Sequence, residues 1–148
     1  MIRKLAILAA ILVPTALVSA QVECTVTPFG RGCGPRLTGK VTDNDHKVFD
    51  HALLLATTDA PAHSIGLTVI GLEQTEWKLP FMACAMLVSP HGIVLVRSDK
   101  DGNASASIPF PARDGLTAHL QQCWFQFGRE GVKAVNSNGV TLSCKDSK

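Results

Sequence analysis

Five cysteines, five histidines, two acidic clusters and two tryptophans are the residues of this chain with chemistry to offer. Cys24, Cys33, Cys84, Cys123 and Cys144 contain no C-x-x-C spacing, which argues against both a zinc knuckle and a thioredoxin-like redox pair. His46, His51, His63, His91 and His119 fall in five separate segments. Residues on one face of a strand are two or four apart, so His46 and His51 lack the spacing of metal ligands. His119 and Cys123 share a strand face, yet about 13 Å of extended chain keeps imidazole from thiol. No G-x-S-x-G elbow, HExxH pair or phosphate-cradling glycine loop occurs. The expectation is a chain with no catalytic residue, no metal ligand and no cofactor. It is not an enzyme on this reading, and a secreted hydrolase is the weakest alternative.

Asp99-Lys100-Asp101-Gly102-Asn103 invites a calcium reading. An EF-hand-type loop needs glycine sixth and a bidentate acid twelfth; here glycine is fourth and Phe110 is twelfth. A tight turn explains the residues with less, because Asp-Gly supplies the positive φ that turns need. Asp43-Asn44-Asp45-His46 reads the same way. Tyrosine is absent and aromatics make up 5% of the chain. Trp124 lies within an apolar run and reads as core. Trp77, between Glu76 and Lys78, is the candidate ligand contact, for a carbohydrate or another small molecule.

These residues must be positioned by a chain that begins MIRKLAILAAILVPTALVSAQ. Arg3 and Lys4, an apolar run from Leu5 to Val18, and the small residues Val18-Ser19-Ala20 predict a signal peptide over 1–20, cut before Gln21. The run is shorter than the roughly 20 residues of a membrane span. The expected product is a secreted, periplasmic or extracellular protein, 21–148, folded as one domain. In an oxidising compartment its cysteines read as disulfides, and an odd number leaves a free buried thiol or a covalent dimer. Of 14 basic residues Arg3 and Lys4 leave with the leader, so 12 basic and 12 acidic residues remain and the net charge is zero. No field is left for nucleic acid or an anionic membrane; the sequence names no partner, and an extracellular protein or a glycan is the class to test.

Short β runs dominate the order. Residues 21–46 carry Pro28, Gly30, Gly32, Gly34, Pro35 and Gly39 and read as loop with short extended pieces such as Arg36 to Val41. Strands are predicted at 47–57, 65–72, 84–88, 93–97 and 104–108, the last ended by Pro109. The stretch 79–111 reads as a central meander, with a hairpin at Asp99–Asn103 placing Val96 near Ala106. Leu116 to Phe127 is the longest strand candidate. Its apolar face changes midway, which predicts a bulge near Gln121-Gln122. Residues 128–138 read as loop with a short Val132–Val135 segment, and Val140–Cys144 as a last short strand. The predicted fold is all-β, a disulfide-stapled antiparallel β-sandwich of Ig-like or jelly-roll-like type.

Several landmarks, in one order over nearly the whole exported part, resemble a small β-rich module that recurs in secreted proteins of planctomycetes and other environmental bacteria. They include Phe29-Gly30-Arg31-Gly32-Cys33, Ala60-Pro61, Leu79-Pro80 before Cys84, Leu87-Val88-Ser89-Pro90, Asp101-Gly102-Asn103-Ala104, Ile108-Pro109-Phe110-Pro111 and Ser137-Asn138-Gly139-Val140. The resemblance implies export, a β-sandwich and no assigned activity, hence a structural, surface or adhesion role. It also implies a Cys33–Cys84 bridge, because matching cysteines occur together in that module. Cys24, Cys123 and Cys144 are additions to its pattern. Two pairings stand for them: Cys123–Cys144 across the 128–139 connection, which is preferred, and Cys24–Cys144 joining the two ends.

Overall fold

A computed structural model describes residues 21–45 and 48–147; the predicted leader and His46 lie outside the described residues. Every regular element among them is a strand. In chain order these are β1 (Gln21–Phe29), β2 (Arg36–Asp43), β3 (His51–Thr58), β4 (Ile65–Gly71) and β5 (Gln74–Trp77), followed by β6 (Met86–Val88), β7 (Gly92–Arg97), β8 (Ala104–Phe110), β9 (Thr117–Gly128) and β10 (Gly131–Ser147). They form a five-stranded sheet ordered β1-β10-β9-β4-β7, a three-stranded sheet β2-β3-β8 and a two-stranded ribbon β5-β6. All named strand pairs are antiparallel.

The two larger sheets share a core. Leu37, Leu53, Leu55 and Phe110 of the smaller sheet cluster with Leu120, Val140, Leu142 and Cys144 of the larger. Period-two alternation produces this: Leu53 and Leu55 on β3, and Val140, Leu142 and Cys144 on β10, point one way from their strands. Burying a side chain of this size contributes about 1.5–3 kcal/mol. Trp124 extends the core, fully buried against Ala60 and Val96.

The fit around Trp124 depends on a missing side chain. Gly66 faces Trp124 across the β4–β9 ladder, and a Cβ there would stand 2.7 Å from the ring's Cε3. Gly66→Ala is therefore expected to cost about 1–3 kcal/mol by overpacking. Gly92→Ala, which meets nothing within 4 Å, is expected to stay within about 0.5 kcal/mol. Urea denaturation of both variants checks this, and equal losses would refute the ring-fit account.

The structure corrects several expectations. Residues 21–29 are a full strand, with Val22, Cys24 and Val26 packed on the core. The polar 73–78 segment, which reads as a loop in the sequence, contains the strand β5 (Gln74–Trp77). Residues 131–138 belong to β10, which turns back from β9 through Arg129 and Glu130. Asp99–Asn103 is a turn, but not a hairpin joining paired strands. β7 pairs with β4 in the large sheet and β8 with β3 in the small one, so Val96 and Ala106 are not ladder partners. The chain crosses between sheets there, alongside the β3–β4 connection. Ala60 N–H donates to Gly102 O, His63 N–H to Asp99 O and Ser98 N–H to Ser64 O. β8 also continues through Pro109, which sits on an edge strand where its missing N–H breaks no ladder.

The inward face of β9 does not change. Leu120, Gln122 and Trp124 all face the smaller sheet, because Gln122 is accommodated there by hydrogen bonds. The extra residue lies opposite, on β10, where the register slips between Asn136 and Gly139.

Candidate interaction face of the large sheet

The side of the large sheet turned away from the smaller sheet is built by strand register. Directly opposed residues of an antiparallel ladder share a face. One row runs Leu95, Leu67, Cys123 and Asn136, and the next runs Arg97, Ile65, Phe125 and Ala134; Phe127 and Val132 follow. The β5–β6 ribbon covers part of this face, with Val88, Met82 and Met86 packed on Val69 and Cys123. Gln121 holds the ribbon's return strand down. Its Oε1 accepts from Leu87 N–H at 2.7 Å, and its Nε2 donates to Ala85 O at 3.3 Å and Ser137 O at 2.8 Å. Fully buried Asn136 does the same for the preceding segment, donating from Nδ2 to Cys84 O and Ala85 O.

Beyond the ribbon the face is apolar and open. Ile93 is 63% exposed, Leu95 72% and Phe127 75%, with Ile65 and Val132 also exposed. Trp77 is 48% exposed. It opposes Met86 across the ribbon and so shares Met86's side, the side that packs onto the sheet. Large exposed apolar side chains sharing one sheet face make it the candidate contact surface.

The other sequence-selected residues are not brought together. His51 opens β3, with Nδ1 4.0 Å from Asp50 Oδ1 and its ring 6.1 Å from that of Phe110. His63 takes a positive φ of 51° in the β3–β4 connection. His91 Nδ1 lies 3.0 Å from Ser89 O. His119 stands edge-on to Phe29, its Nδ1 2.8 Å from Thr141 Oγ1, and desolvation holds its pKa below the usual imidazole value. In the 99–103 turn, Asp99 Oδ1 accepts from the N–H groups of Asp101 and Asn103. The Asn103 bond leads the lowering of its pKa below the usual carboxylate range. Gly102, at φ 77°, is packed under Ala60 O, where no Cβ fits. Asn44 spends its N–H on Asp50 O and its Nδ2 on Phe49 O. Among the described residues no three His, Cys, Asp or Glu side chains gather to hold a metal. A depression of about 740 Å³ lies elsewhere, between Phe29, Arg31, Arg36 and Asn138, and Trp77 does not line it.

Cysteine pairing is Cys33–Cys84 and Cys24–Cys144, with Cys123 free. The preferred Cys123–Cys144 bridge is overturned. The two strands are hairpin neighbours, but Cys123 opposes Asn136, and Cys144 lies beyond the Ser143–Thr117 pair. That separates them by about 20 Å of ladder. Cys24 opposes Cys144 directly.

Cys123 is 1% exposed, and burial pushes its thiol from 9.0 up to about 11. Native protein is expected to leave it unmodified by an aromatic disulfide reagent at pH 8, with one thiol appearing on unfolding in denaturant. The thiol form is favoured in the fold. Its contribution is therefore complete below pH 9 and is lost as pH rises through about 11. Stability measured from pH 8 to 11 should fall less steeply in Cys123→Ala than in wild type; parallel curves would count against this.

No protein-family model, curated protein or solved structure matches the chain. Two disulfides are the chemistry of a non-reducing compartment. Among the described residues no helix is long and apolar enough to cross a membrane.

Sequence reasoning singled out Trp77 but missed the hydrogen-bonding roles of Gln121, Gln122 and Asn136 and the open position of β7. Two adjacent glutamines inside the apolar run Leu120–Phe125 were a usable signal, since buried amides imply a hydrogen-bonded network.

Proposed function

We propose that this chain is an exported, non-catalytic β-sandwich module, of Ig-like or jelly-roll-like type, with a surface or adhesion role. It works by contact through the outer face of its large sheet. The sandwich reading is supported by the core cluster that the two sheets share. The contact role rests on one observation, the exposure of Ile93, Leu95, Ile65, Phe127 and Val132 on the same outer face of the large sheet. The resemblance to the planctomycete module is consistent with such a role.

The purified chain starting at Gln21 is expected to bind an octyl-bearing support. Leu95→Lys and Phe127→Ser should each weaken retention while leaving circular dichroism unchanged. Retention equal in all three proteins removes the reading. A hydrolase activity that disappears with a single His or Asp substitution removes the non-catalytic part of it.

The exposure of Trp77 favours a second reading, a carbohydrate or small-ligand site on the 73–78 segment. A glycan array with ligand-induced melting separates the two. Binding abolished by Trp77→Ala supports the second reading, and no response, or one that Trp77→Ala leaves intact, rejects it.

A further inference from the structure

The four edges of the two larger sheets are not alike. β1 carries Glu23 and Pro28; β2 carries Arg36, Lys40 and Asp43; β8 carries Pro109. Charges and prolines are the means by which proteins keep strand edges from pairing with other chains. β7 has neither from Gly92 to Val96, and its only charge is the terminal Arg97. Its Ile93, Val94 and Leu95 are exposed.

The direction of its backbone groups follows from register. Ser98 N–H donates to Ser64 O at the end of the β4–β7 ladder, and hydrogen-bonded pairs recur at every second residue. Val96, Val94 and Gly92 therefore turn their N–H and C=O toward β4. Ile93, Leu95 and Arg97 turn theirs to the open edge.

We propose that β7 is a homodimerisation edge, on which a second copy of this chain adds its own β7 antiparallel about a two-fold axis at Val94. This rests on the reading of the outer face as a contact surface and names its partner. With Val94 facing Val94 of the second copy, Ile93 falls opposite Leu95 and Leu95 opposite Ile93. The outward backbone groups of those residues meet in about four ladder bonds, and the apolar row of the outer face continues from one copy into the other. Charge does not oppose it. The chain from Gln21 carries 12 basic and 12 acidic residues, and the two Arg97 side chains sit at opposite ends, about 20 Å apart, beyond the screening length of about 8–10 Å. A six-residue edge buries less than the roughly 1,200 Å² at which stable interfaces begin. The dimer therefore dissociates on dilution rather than being obligate.

Sedimentation velocity of the oxidised chain starting at Gln21, over a concentration series, tests this. Wild type and Phe127→Ser, a substitution two strands from the edge, are expected to shift from one to two chain masses as concentration rises. Leu95→Pro removes an outward N–H without touching the β4 ladder, and Leu95→Lys installs a guarding charge on an exposed side chain. Each is expected to weaken association at least tenfold. The lysine variant decides the matter if the proline variant fails to fold. Wild type that is monomeric throughout, or association that survives both Leu95 substitutions, overturns the proposal. A monomer whose octyl-support retention still falls in Leu95→Lys and Phe127→Ser rejects the second copy and leaves the contact surface standing. A monomer that instead captures an extended peptide, in a manner abolished by Leu95→Pro, assigns the edge to a foreign strand and overturns the proposal equally.

Discussion

Replacing Cys33 and Cys84 together by alanine is expected to lower the unfolding free energy by about 4 kcal/mol, from the chain entropy of the closed loop. The bridge spans 51 residues, and a domain of this size has roughly 5–15 kcal/mol in all. The effect should also be local. Cys33 N–H donates to Asn136 O, and Asn136 N–H approaches Cys33 Sγ at 3.5 Å. The same buried asparagine bonds Cys84 O and Ala85 O on the other side of the bridge. Disulfide and asparagine thus clamp two irregular segments, the glycine-rich 30–35 loop and the 79–85 approach to β6, onto one point of β10. Cys24→Ala with Cys144→Ala opens a closed span of 120 residues, worth about 5 kcal/mol by the same model. Those cysteines, however, sit within nine consecutive paired positions of β1 and β10, which hold the strands together without the bridge. Urea unfolding without reductant measures both losses. Limited proteolysis should cut 30–35 and 79–85 in the first variant and leave them intact in the second. A loss below about 1 kcal/mol in the first, with no new cleavage, would show that the clamp is redundant.

How far the fold could be read in advance follows from what local sequence encodes. Clean alternation placed β8, and short apolar, β-branched runs placed β3, β4 and β7 within a few residues, because such runs suit a half-buried or fully buried strand; β2 was legible only as the short extended piece Arg36 to Val41 in a loop-rich segment. β1 escaped although Val22, Cys24 and Val26 alternate, since Pro28 and the glycines that follow it dominate the segment. Asp99–Asn103 was legible as a turn: the aspartate's bonds to two backbone N–H groups and the positive φ of Gly102 are consequences of those side chains. Whether the flanking strands pair is not local information. Here the turn is bound to the β3–β4 connection, through Ala60 and His63, and both cross between sheets. Position within a sheet is equally hidden. Residues 93–97 read as a core strand of the central meander, yet Gly92–Arg97 forms an edge with Ile93 and Leu95 in solvent. The candidate contact face is made of that discrepancy, so of its residues only Trp77 was visible in the sequence.

The buried amide of Gln122 is where polar chemistry and core packing are most tightly joined. Its Oε1 accepts from Thr57 Oγ1 of the smaller sheet, and its Nε2 donates to Thr68 Oγ1 at 3.1 Å on the neighbouring strand. All three side chains are essentially inaccessible to solvent. The amide therefore links the two sheets through the buried interior between them. Gln122→Met keeps length and volume but leaves two hydroxyls buried without that partner, and each such group costs about 1–3 kcal/mol. The expected loss is roughly 2–5 kcal/mol. Thr57→Val and Thr68→Val added to Gln122→Met remove the stranded groups in turn. Replacing every member of a hydrogen-bonded set by apolar groups of like shape is close to neutral, so the triple variant should recover most of what the single one lost. The sign of the coupling is the test, read from urea midpoints across the full set of single, double and triple variants. If the three losses simply add, the amide is filling space and the hydroxyls have other partners. If they cancel, the linkage is a matched set whose value lies in holding β3, β4 and β9 in one register. That register fixes the rows of the outer face, because β4 and β9 present Leu67, Cys123, Ile65 and Phe125 on the opposite side of the same strands.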